Sequence, residues 1–169
     1  MPPRASAKSS RKGLPPPVVA APAPAVDEID TRYLETLIGY NARRAALSVI
    51  GLFMTRMARY ELRIVDFSVL SLITHNPGIT SAQLCSALSI LPPNLVGMIN
   101  ALVRRGLIER LPHPRDGRAL GLHLTAAGHA LMGEAEQTAS DLEVEATDRL
   151  STAERQTLIR LLRKVYLPP

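Results

Sequence analysis

The segment from Leu107 to Thr125, LIERLPHPRDGRALGLHLT, predicts a β-hairpin in a chain whose other periodic segments are helical. Two runs of strand-forming residues flank a tip rich in proline, aspartate and glycine, which favour turns. The tip carries Arg115 and Arg118, and an exposed tip adds little to a core. These arginines are therefore either without a partner or in contact with another molecule.

The segments before the hairpin predict two short helices joined by a tight turn. In TSAQLCSALSI, Thr80 and Gln83 have the spacing of a capping box, so a helix should begin there. The next segment, PPNLVGMINALVRRG, places prolines in a first helical turn and ends on Gly106, a residue suited to terminate a helix. A helix pair followed by a hairpin predicts a winged helix-turn-helix over residues 61–125.

Both ends of the chain show helical periodicity. Apolar residues recur at intervals of three and four from Asp27 to about Arg59, on more than one face, as expected for a helix that packs on its own core and on a second subunit. A shorter helix is predicted over Asp66–His75, stopped by NPG. After Thr125 the helical pattern returns, and a second capping box begins a last helix. The predicted class is mainly α, with dimerisation helices in 27–60 and 126–169.

Residues 1–26 differ in composition from the rest of the chain. They contain four basic residues, no acidic ones and half of the 14 prolines, so we predict a disordered basic arm rich in proline and alanine. The net charge of +5 comes largely from this arm. A single cysteine cannot form an internal disulfide. The sequence has no uncharged apolar stretch long enough to span a membrane. We therefore expect a cytoplasmic protein.

The second helix of the pair has a face suited to DNA. On a helical projection Leu95, Ile99, Leu102 and Val103 gather on the side predicted to be core. The remaining surface is small and polar, and such a face can approach a major groove closely. The alternative is a solvated helix face without a partner. The predicted base contacts are Pro93, Asn94, Gly97 and Asn100.

The hairpin favours the DNA interpretation. An arginine at the tip can enter a narrow minor groove, and Asp116 is spaced to hold the guanidinium of Arg118. Between Thr80 and His123 there are five arginines and two acidic residues, an excess of positive charge that suits phosphate binding. The predicted minor-groove residues are Arg115, Asp116 and Arg118, and the predicted phosphate contacts are Ser81, Gln83, Arg104, Arg105 and Arg110.

Four motifs, GITSAQLCSAL, LPPNLVGMINALVRRGLIER, PRDGR and LHLTAAG, occur in the order and spacing of the MarR family of bacterial transcriptional regulators, which the chain resembles. The resemblance implies a homodimer that binds palindromic double-stranded DNA, usually as a repressor released by a small molecule. The chain departs from the family pattern at Gly97, Asn100 and Gly117, where many relatives carry polar or charged residues. The alternative from another class is a winged-helix module for protein interaction, without sequence-specific DNA binding.

The resemblance also implies an effector site where the dimerisation helices meet the DNA-binding lobe. Here that region should include Tyr40, Arg43, Arg44 and His75. An arginine fork pairs with a carboxylate while a ring stacks on apolar surface, so a small aromatic carboxylate, such as a hydroxylated benzoate or nicotinate, is expected. The alternative is that Arg43 and Arg44 pair with acidic residues across the dimer.

Other chemistry is not indicated by the sequence. The four histidines lack a compact metal-ligand spacing, and Cys85 lies on the predicted inner face of a short helix, where an inert thiol is expected. No glycine-rich phosphate loop, nucleophile elbow or paired-carboxylate motif occurs. We therefore expect no metal, no cofactor and no enzymatic activity.

Overall fold

The computed structural model describes residues 28–113 and 116–167, with the backbone alone for residue 113 and residues 116–119. This part of the chain is mainly helical, as predicted, and carries a small antiparallel sheet. Its elements, in chain order, are α1 (Arg32–Glu35), α2 (Ile38–Met57), a 3-10 turn (Ala58–Tyr60), α3 (Ile64–His75), β1 (Ile79–Thr80), α4 (Ser81–Leu88), α5 (Pro92–Arg104), β2 (Ile108–His113), β3 (Asp116–Leu124), α6 (Ala126–Ala146) and α7 (Thr152–Tyr166).

The first helical segment is interrupted, which corrects the prediction of one continuous helix to Arg59. Leu37 has an extended backbone, and it separates α1 from α2. The Asn41 side chain fills the break, because its Nδ2 donates to the carbonyl oxygens of Glu35 at 2.7 Å and Leu37 at 2.8 Å. Periodicity registers only side-chain spacing, and that spacing continues across the break.

Helix α2 ends in a tight turn that leads into α3. Glu61 closes the 3-10 turn in the left-handed region, at φ 53°. Helix α3 begins at Ile64, two residues before the predicted Asp66, and Phe67 on its first turns packs edge-to-face on Phe53 of α2, with ring centroids 5.5 Å apart. The C-terminal half of α2 is thereby packed against the first turns of α3.

The helix pair follows the local signals in the sequence. The Thr80 hydroxyl accepts from the Gln83 backbone N–H at 3.3 Å, and the Gln83 side chain accepts from the Thr80 backbone N–H at 2.9 Å, so the capping box is confirmed. Ser89 ends α4 in the left-handed region. Gly106, at φ 70°, follows α5 and turns the chain into β2.

The sheet has three strands in the order β1-β3-β2, one more than the predicted hairpin. Strand β1 has only two residues, Ile79 and Thr80, which pair with Leu122 and Gly121, so it is too short to show an alternating pattern. A Cβ on Gly121 would lie 2.9 Å from backbone atoms of Gly78, so glycine permits this approach. Strands β2 and β3 form the predicted hairpin.

The hydrophobic core joins the predicted winged helix-turn-helix, residues 61–125, to helices α2 and α6. It combines the end of α2, the inner faces of α3 to α6 and the base of the hairpin. Helix α6 ends at Ala146, earlier than the predicted Leu150, and Ser151 caps α7 with Glu154, as predicted. No single described helix is both long and apolar enough to cross a membrane; α4 and α5 together pass by length and composition but are bent by 116°.

Candidate nucleic-acid interface

Helix α5 separates a buried face from an exposed one. Leu95, Ile99 and Leu102 are buried, as predicted from their spacing. Pro93, Asn94 and Gly97 are exposed and Asn100 is half-buried, so all four residues predicted to contact bases retain solvent access on one side of a helix anchored by its other side. Side chains protrude little from this face at Pro93 and Gly97, because proline is short and glycine has no side chain.

Two details of this face were not anticipated. The Val96 side chain is 51% exposed, although valine is a core-forming residue, and the helical projection places it next to Asn100, at the edge of this face. A Cβ on Gly97 would meet nothing within 4 Å, so packing does not require glycine at that position. Val96 was not among the predicted base contacts, because valine is usually a core residue.

Strand β2 contributes a cation to the same surface. Arg110 donates from Nη2 to the Asn100 side-chain oxygen at 2.6 Å. The structure thus joins a predicted phosphate contact to a predicted base contact. This pair links the start of the hairpin to the exposed face of α5.

The two arginines that follow each other at the end of α5 have different surroundings. Arg104 is exposed in the last turn. Arg105 donates from Nη1 to the Glu61 carbonyl oxygen at 2.8 Å and from Nη2 to the Tyr60 carbonyl oxygen at 2.9 Å. The structure therefore gives Arg105, predicted to bind phosphate, an intramolecular partner.

An ion pair lies beside this contact, at the start of α3. The buried Asp66 carboxylate accepts from Arg63 Nε at 2.8 Å and Nη2 at 2.9 Å. Burial opposes ionisation of Asp66, but the hydrogen bonds from Arg63 and the charges of Arg63 and Arg105 outweigh it, so the pKa of Asp66 is lowered. Asp66 is thus an anion that helps to fix the junction of α2, α3 and α5.

The other two predicted phosphate contacts lie at the start of α4. Ser81 is half-buried and Gln83 is exposed. The Gln83 side-chain oxygen is occupied by the cap, accepting from the Thr80 hydroxyl at 3.0 Å as well as from its backbone N–H. The amide nitrogen of Gln83 remains the group that can donate to an oxygen outside the chain.

The predicted wing residues are only partly placed. Asp116 and Arg118 belong to strand β3, which pairs with β2 up to a register shift between Pro112 and His113. Arg115 lies outside the described residues, as does the side-chain placement of Asp116 and Arg118. The base of the hairpin is joined to the fold through Ile108 and Leu124, which pair with each other and are buried in the core.

The predicted effector residues lie on two helices. Tyr40, Arg43 and Arg44 lie in the first two turns of α2. His75 ends α3, where its Nε2 lies 3.0 Å from Oε1 of Glu136 on α6, an atom that also accepts from Ser71. Among the described residues, no hydrogen bond joins His75 to the arginines of α2.

A separate cleft of about 510 Å³ lies between α2 and α6. Arg56 forms an ion pair across it with Glu145, at 2.6 Å, and the Arg59 guanidinium lies 4.6 Å from the centre of the Tyr60 ring. The sequence did not point to this cleft, whose lining residues are Thr55, Arg56, Arg59, Thr138, Asp141, Leu142 and Glu145.

No group of three histidine, cysteine or acidic side chains within residues 28–113 and 116–167 could hold a metal ion. Cys85 is half-buried and packs against the core.

The helix pair, the hairpin and the exposed face of α5 define a winged helix-turn-helix protein. The MarR family model matches residues 62–120. The chain is 36% identical over 106 residues to the multiple antibiotic resistance protein MarR of Escherichia coli, covering 62% of this chain and 74% of that protein. It is 31% identical over 130 residues to a Thauera aromatica protein described as a transcriptional regulator for the hcr operon, covering 76% and 78%. The chain belongs to the MarR family.

Solved structures agree with this assignment. The repressor CouR bound to a 23-mer DNA duplex has a TM-score of 0.77 at 34% identity, covering 82% of this chain and 99% of that one. CouR bound to p-coumaroyl-CoA has a TM-score of 0.74 at 33% identity, covering 84% and 100%. BpsR of Bordetella bronchiseptica, described with 6-hydroxynicotinic acid, has a TM-score of 0.71 at 26% identity, covering 79% and 95%. The protein is a transcriptional regulator that binds DNA, and not an enzyme.

Proposed function

We propose that the protein is a homodimeric repressor that binds palindromic DNA and is released by a small aromatic carboxylate. The observation that carries the DNA-binding mode is the exposed, small and polar face of α5, held by three buried residues on the opposite side. Such a helix can lie in a major groove, and a twofold dimer presents two of them to two half-sites. The family assignment and the likeness to DNA-bound CouR support this DNA-binding mode over the protein-interaction alternative.

The dimer is supported by the apolar surface at both ends of the chain. No side chain of α7 is buried within the described chain, although the helix is rich in leucine, isoleucine and valine. An apolar patch of this kind is typical of a surface that a second subunit covers. Exposed residues in the two regions include Tyr33, Leu34, Leu37, Ile38, Leu47, Ile50 and Met54, and Leu158, Ile159, Leu161, Leu162, Val165 and Tyr166.

The DNA contacts are divided between base reading and phosphate binding. Pro93, Asn94, Gly97 and Asn100 face the major groove in this proposal. Arg115 and Arg118 enter the minor groove, with Asp116 orienting Arg118. Phosphate contacts fall to Ser81, Gln83, Arg104 and Arg110. We leave Arg105 out of this group because its guanidinium already donates to two backbone carbonyls.

The effector proposal is supported by the two ligands of the solved relatives. 6-Hydroxynicotinic acid, described with BpsR, is an aromatic carboxylate, whereas p-coumaroyl-CoA, bound to CouR, is an aromatic thioester. The thioester is therefore a second candidate class. We place the site at Tyr40, Arg43, Arg44 and His75, where the dimerisation helices meet the DNA-binding lobe.

Retardation of a selected duplex tests the DNA-binding mode. An operator is first enriched from a randomised duplex pool with the full chain, and binding is then compared among variants. Arg118→Ala should weaken binding by roughly 1–3 kcal/mol without loss of fold, and Asn94→Ala should relax sequence preference. If neither change alters binding to the selected operator, the assignment of the reading helix and the wing is wrong.

Release from that operator tests the effector. Hydroxylated benzoates and nicotinates, and the coenzyme A thioester of one aromatic acid, are titrated against the protein–DNA complex. A ligand that releases DNA must bind the free protein better, by a factor of ten for about every 1.4 kcal/mol of coupling. Arg43→Ala should abolish the response and Arg59→Ala, in the α2–α6 cleft, should preserve it. The reverse result would move the site to the cleft, and release by the thioester alone would replace the carboxylate.

A further inference from the structure

We propose that Val96 and Asn100 form a thymine-reading pair, in which Val96 contacts the C5 methyl and Asn100, oriented by Arg110, donates to O4. This inference rests on the proposed function, since it requires α5 to lie in the major groove. It adds the base that the helix reads and the chemistry by which it does so.

Arg110 orients the side-chain amide of Asn100. Arg110 donates from Nη2 to Oδ1 of Asn100 at 2.6 Å. A guanidinium has only donors, so it is the oxygen of the amide, and not its nitrogen, that faces Arg110. The pair therefore engages the acceptor of Asn100 and leaves Nδ2, with two N–H groups, as the group for another partner.

The consequence is a change in what Asn100 can recognise. A free asparagine pairs with adenine bidentately, because its oxygen accepts from N6 and its nitrogen donates to N7. With one lone pair of Oδ1 engaged by Arg110, the guanidinium competes with adenine N6 for this oxygen and weakens the first of these bonds. Asn100 becomes mainly a donor directed at base-edge acceptors, which in the major groove are O4 of thymine, N7 of adenine, and O6 and N7 of guanine.

Val96 favours thymine over guanine and adenine, because only thymine carries a methyl group. It lies four residues before Asn100, so their Cβ atoms are about 5–6 Å apart on one side of the helix. Its side chain is 51% exposed, and a methyl group is the apolar feature that a base edge offers in the major groove. Thymine presents O4 and the C5 methyl side by side, whereas guanine has no methyl.

The neighbouring residues keep this pair accessible. Gly97 has open space where a side chain would stand, and Pro93 is short and has no backbone N–H. A base edge can therefore approach Val96 without displacing a long side chain. Neither Pro93 nor Gly97 has a side-chain acceptor that would compete with the base for the N–H groups of Asn100.

Modified bases separate the two contacts. In the selected operator, each thymine is replaced in turn by uracil, which removes only the methyl, or by 5-methylcytosine paired with guanine, which keeps the methyl and exchanges the O4 acceptor for an N4 donor. At one thymine in each half-site, uracil should weaken wild-type binding by about threefold to fivefold, from the loss of one buried methyl. 5-Methylcytosine should weaken it by about tenfold or more.

Variants of the two residues should remove these effects separately. Val96→Ala should bind the thymine and uracil operators equally. The matched control, Val65→Ala, changes an exposed valine on α3, outside the proposed DNA contacts and dimerisation helices, and should retain the full response to uracil. Asn100→Asp can still accept from Arg110 but presents a carboxylate to the base, so it should prefer 5-methylcytosine to thymine. Asn100→Ala, a second variant, should lose the distinction between these two bases.

Arg110 acts as the positioning residue. Arg110→Ala frees Oδ1, so adenine should compete better with thymine at this position, and Arg110→Lys, which can still donate, should restore the preference for thymine. A purely phosphate-binding Arg110 would change affinity without changing base preference.

The inference is overturned if uracil is tolerated at every thymine by the wild-type protein, or if Val96→Ala responds to uracil as the wild type does. It is also overturned if Asn100→Asp and Asn100→Ala both keep the wild-type preference. If Asn94→Ala still relaxes sequence preference in these cases, the proposed function stands and only the thymine pair fails. If Asn94, Val96 and Asn100 variants all keep the wild-type preferences, α5 is not the reading helix.

Discussion

Arg105 donates from its guanidinium to the backbone carbonyl oxygen of Glu61, with 2.8 Å between Nη1 and the oxygen. Glu61 is a left-handed residue at the end of the 3-10 turn that follows α2, and Arg105 directly follows α5. A non-glycine residue in this conformation persists only when its surroundings hold it there. The contact therefore fixes the turn after the long helix directly to the end of the helix proposed to read DNA.

Arg105→Ala should destabilise the fold, because two carbonyl oxygens would no longer have a charged donor. We expect the free energy of unfolding to fall by about 1–2 kcal/mol in denaturant titrations. The dependence of DNA binding on salt should stay unchanged. Arg104→Ala, at the neighbouring residue, is the matched comparison and should leave stability unchanged. It should reduce the slope of the logarithm of the DNA-binding constant against the logarithm of the salt concentration, by about 0.9 for each phosphate that the variant no longer binds. A reduced slope for Arg105→Ala would return that residue to the group that binds phosphate.

Two glycines of α6 should respond oppositely to alanine. A Cβ on Gly128 would lie 2.1 Å from the Leu107 carbonyl oxygen, whereas a Cβ on Gly133 would meet nothing within 4 Å. Gly128→Ala must push α6 away from the hairpin and should cost about 3 kcal/mol or more. Gly133→Ala should be neutral or should stabilise by up to about 1 kcal/mol, provided that the dimer leaves the same space. Thermal unfolding of both variants tests this, and equal stabilities would contradict the close contact at Gly128.

Features set by neighbouring residues could be predicted from the sequence. The capping boxes at Thr80 and Ser151 depend on a partner three residues away, and the stop at Gly106 depends on the conformational freedom of one residue. The buried face of α5 follows in the same way from its periodicity. These local rules were sufficient for the helix pair, the hairpin and the fold class.

Features set by distant partners could not be predicted in this way. The bond from Arg105 to Glu61 spans 44 residues, and that between His75 and Glu136 spans 61. No spacing rule links such residues, because the tertiary fold brings them together. For the same reason the sequence predicted the core face of α5 but not that the Asn100 oxygen is already engaged.

Asp66 should make stability depend on pH in the acid range. Its pKa is lowered in the folded protein, so the unfolded chain binds a proton at higher pH than the folded one. The stabilisation is therefore complete above the ordinary carboxyl pKa of about 4 and is lost as the pH falls through the lower folded value. Asp66→Asn should destabilise the protein at pH 7, and the difference from wild type should shrink below about pH 4. A difference that stays constant from pH 7 to pH 3 would show that the Asp66 charge does not contribute.

The dimer should depend on the apolar surface of α7. Leu162 is 41% exposed in the single chain, and in the proposed dimer the partner covers it. Leu162→Glu would bury an unpaired carboxylate in that interface, so the dimer should dissociate at micromolar concentration. Leu111→Glu is the matched control, since Leu111 is also 41% exposed but lies on β2, and this variant should remain dimeric. Light scattering gives the mass of each form. A wild-type monomer at micromolar concentration would exclude the proposed homodimer, and an unchanged dimer for Leu162→Glu would exclude this face of α7 from the interface.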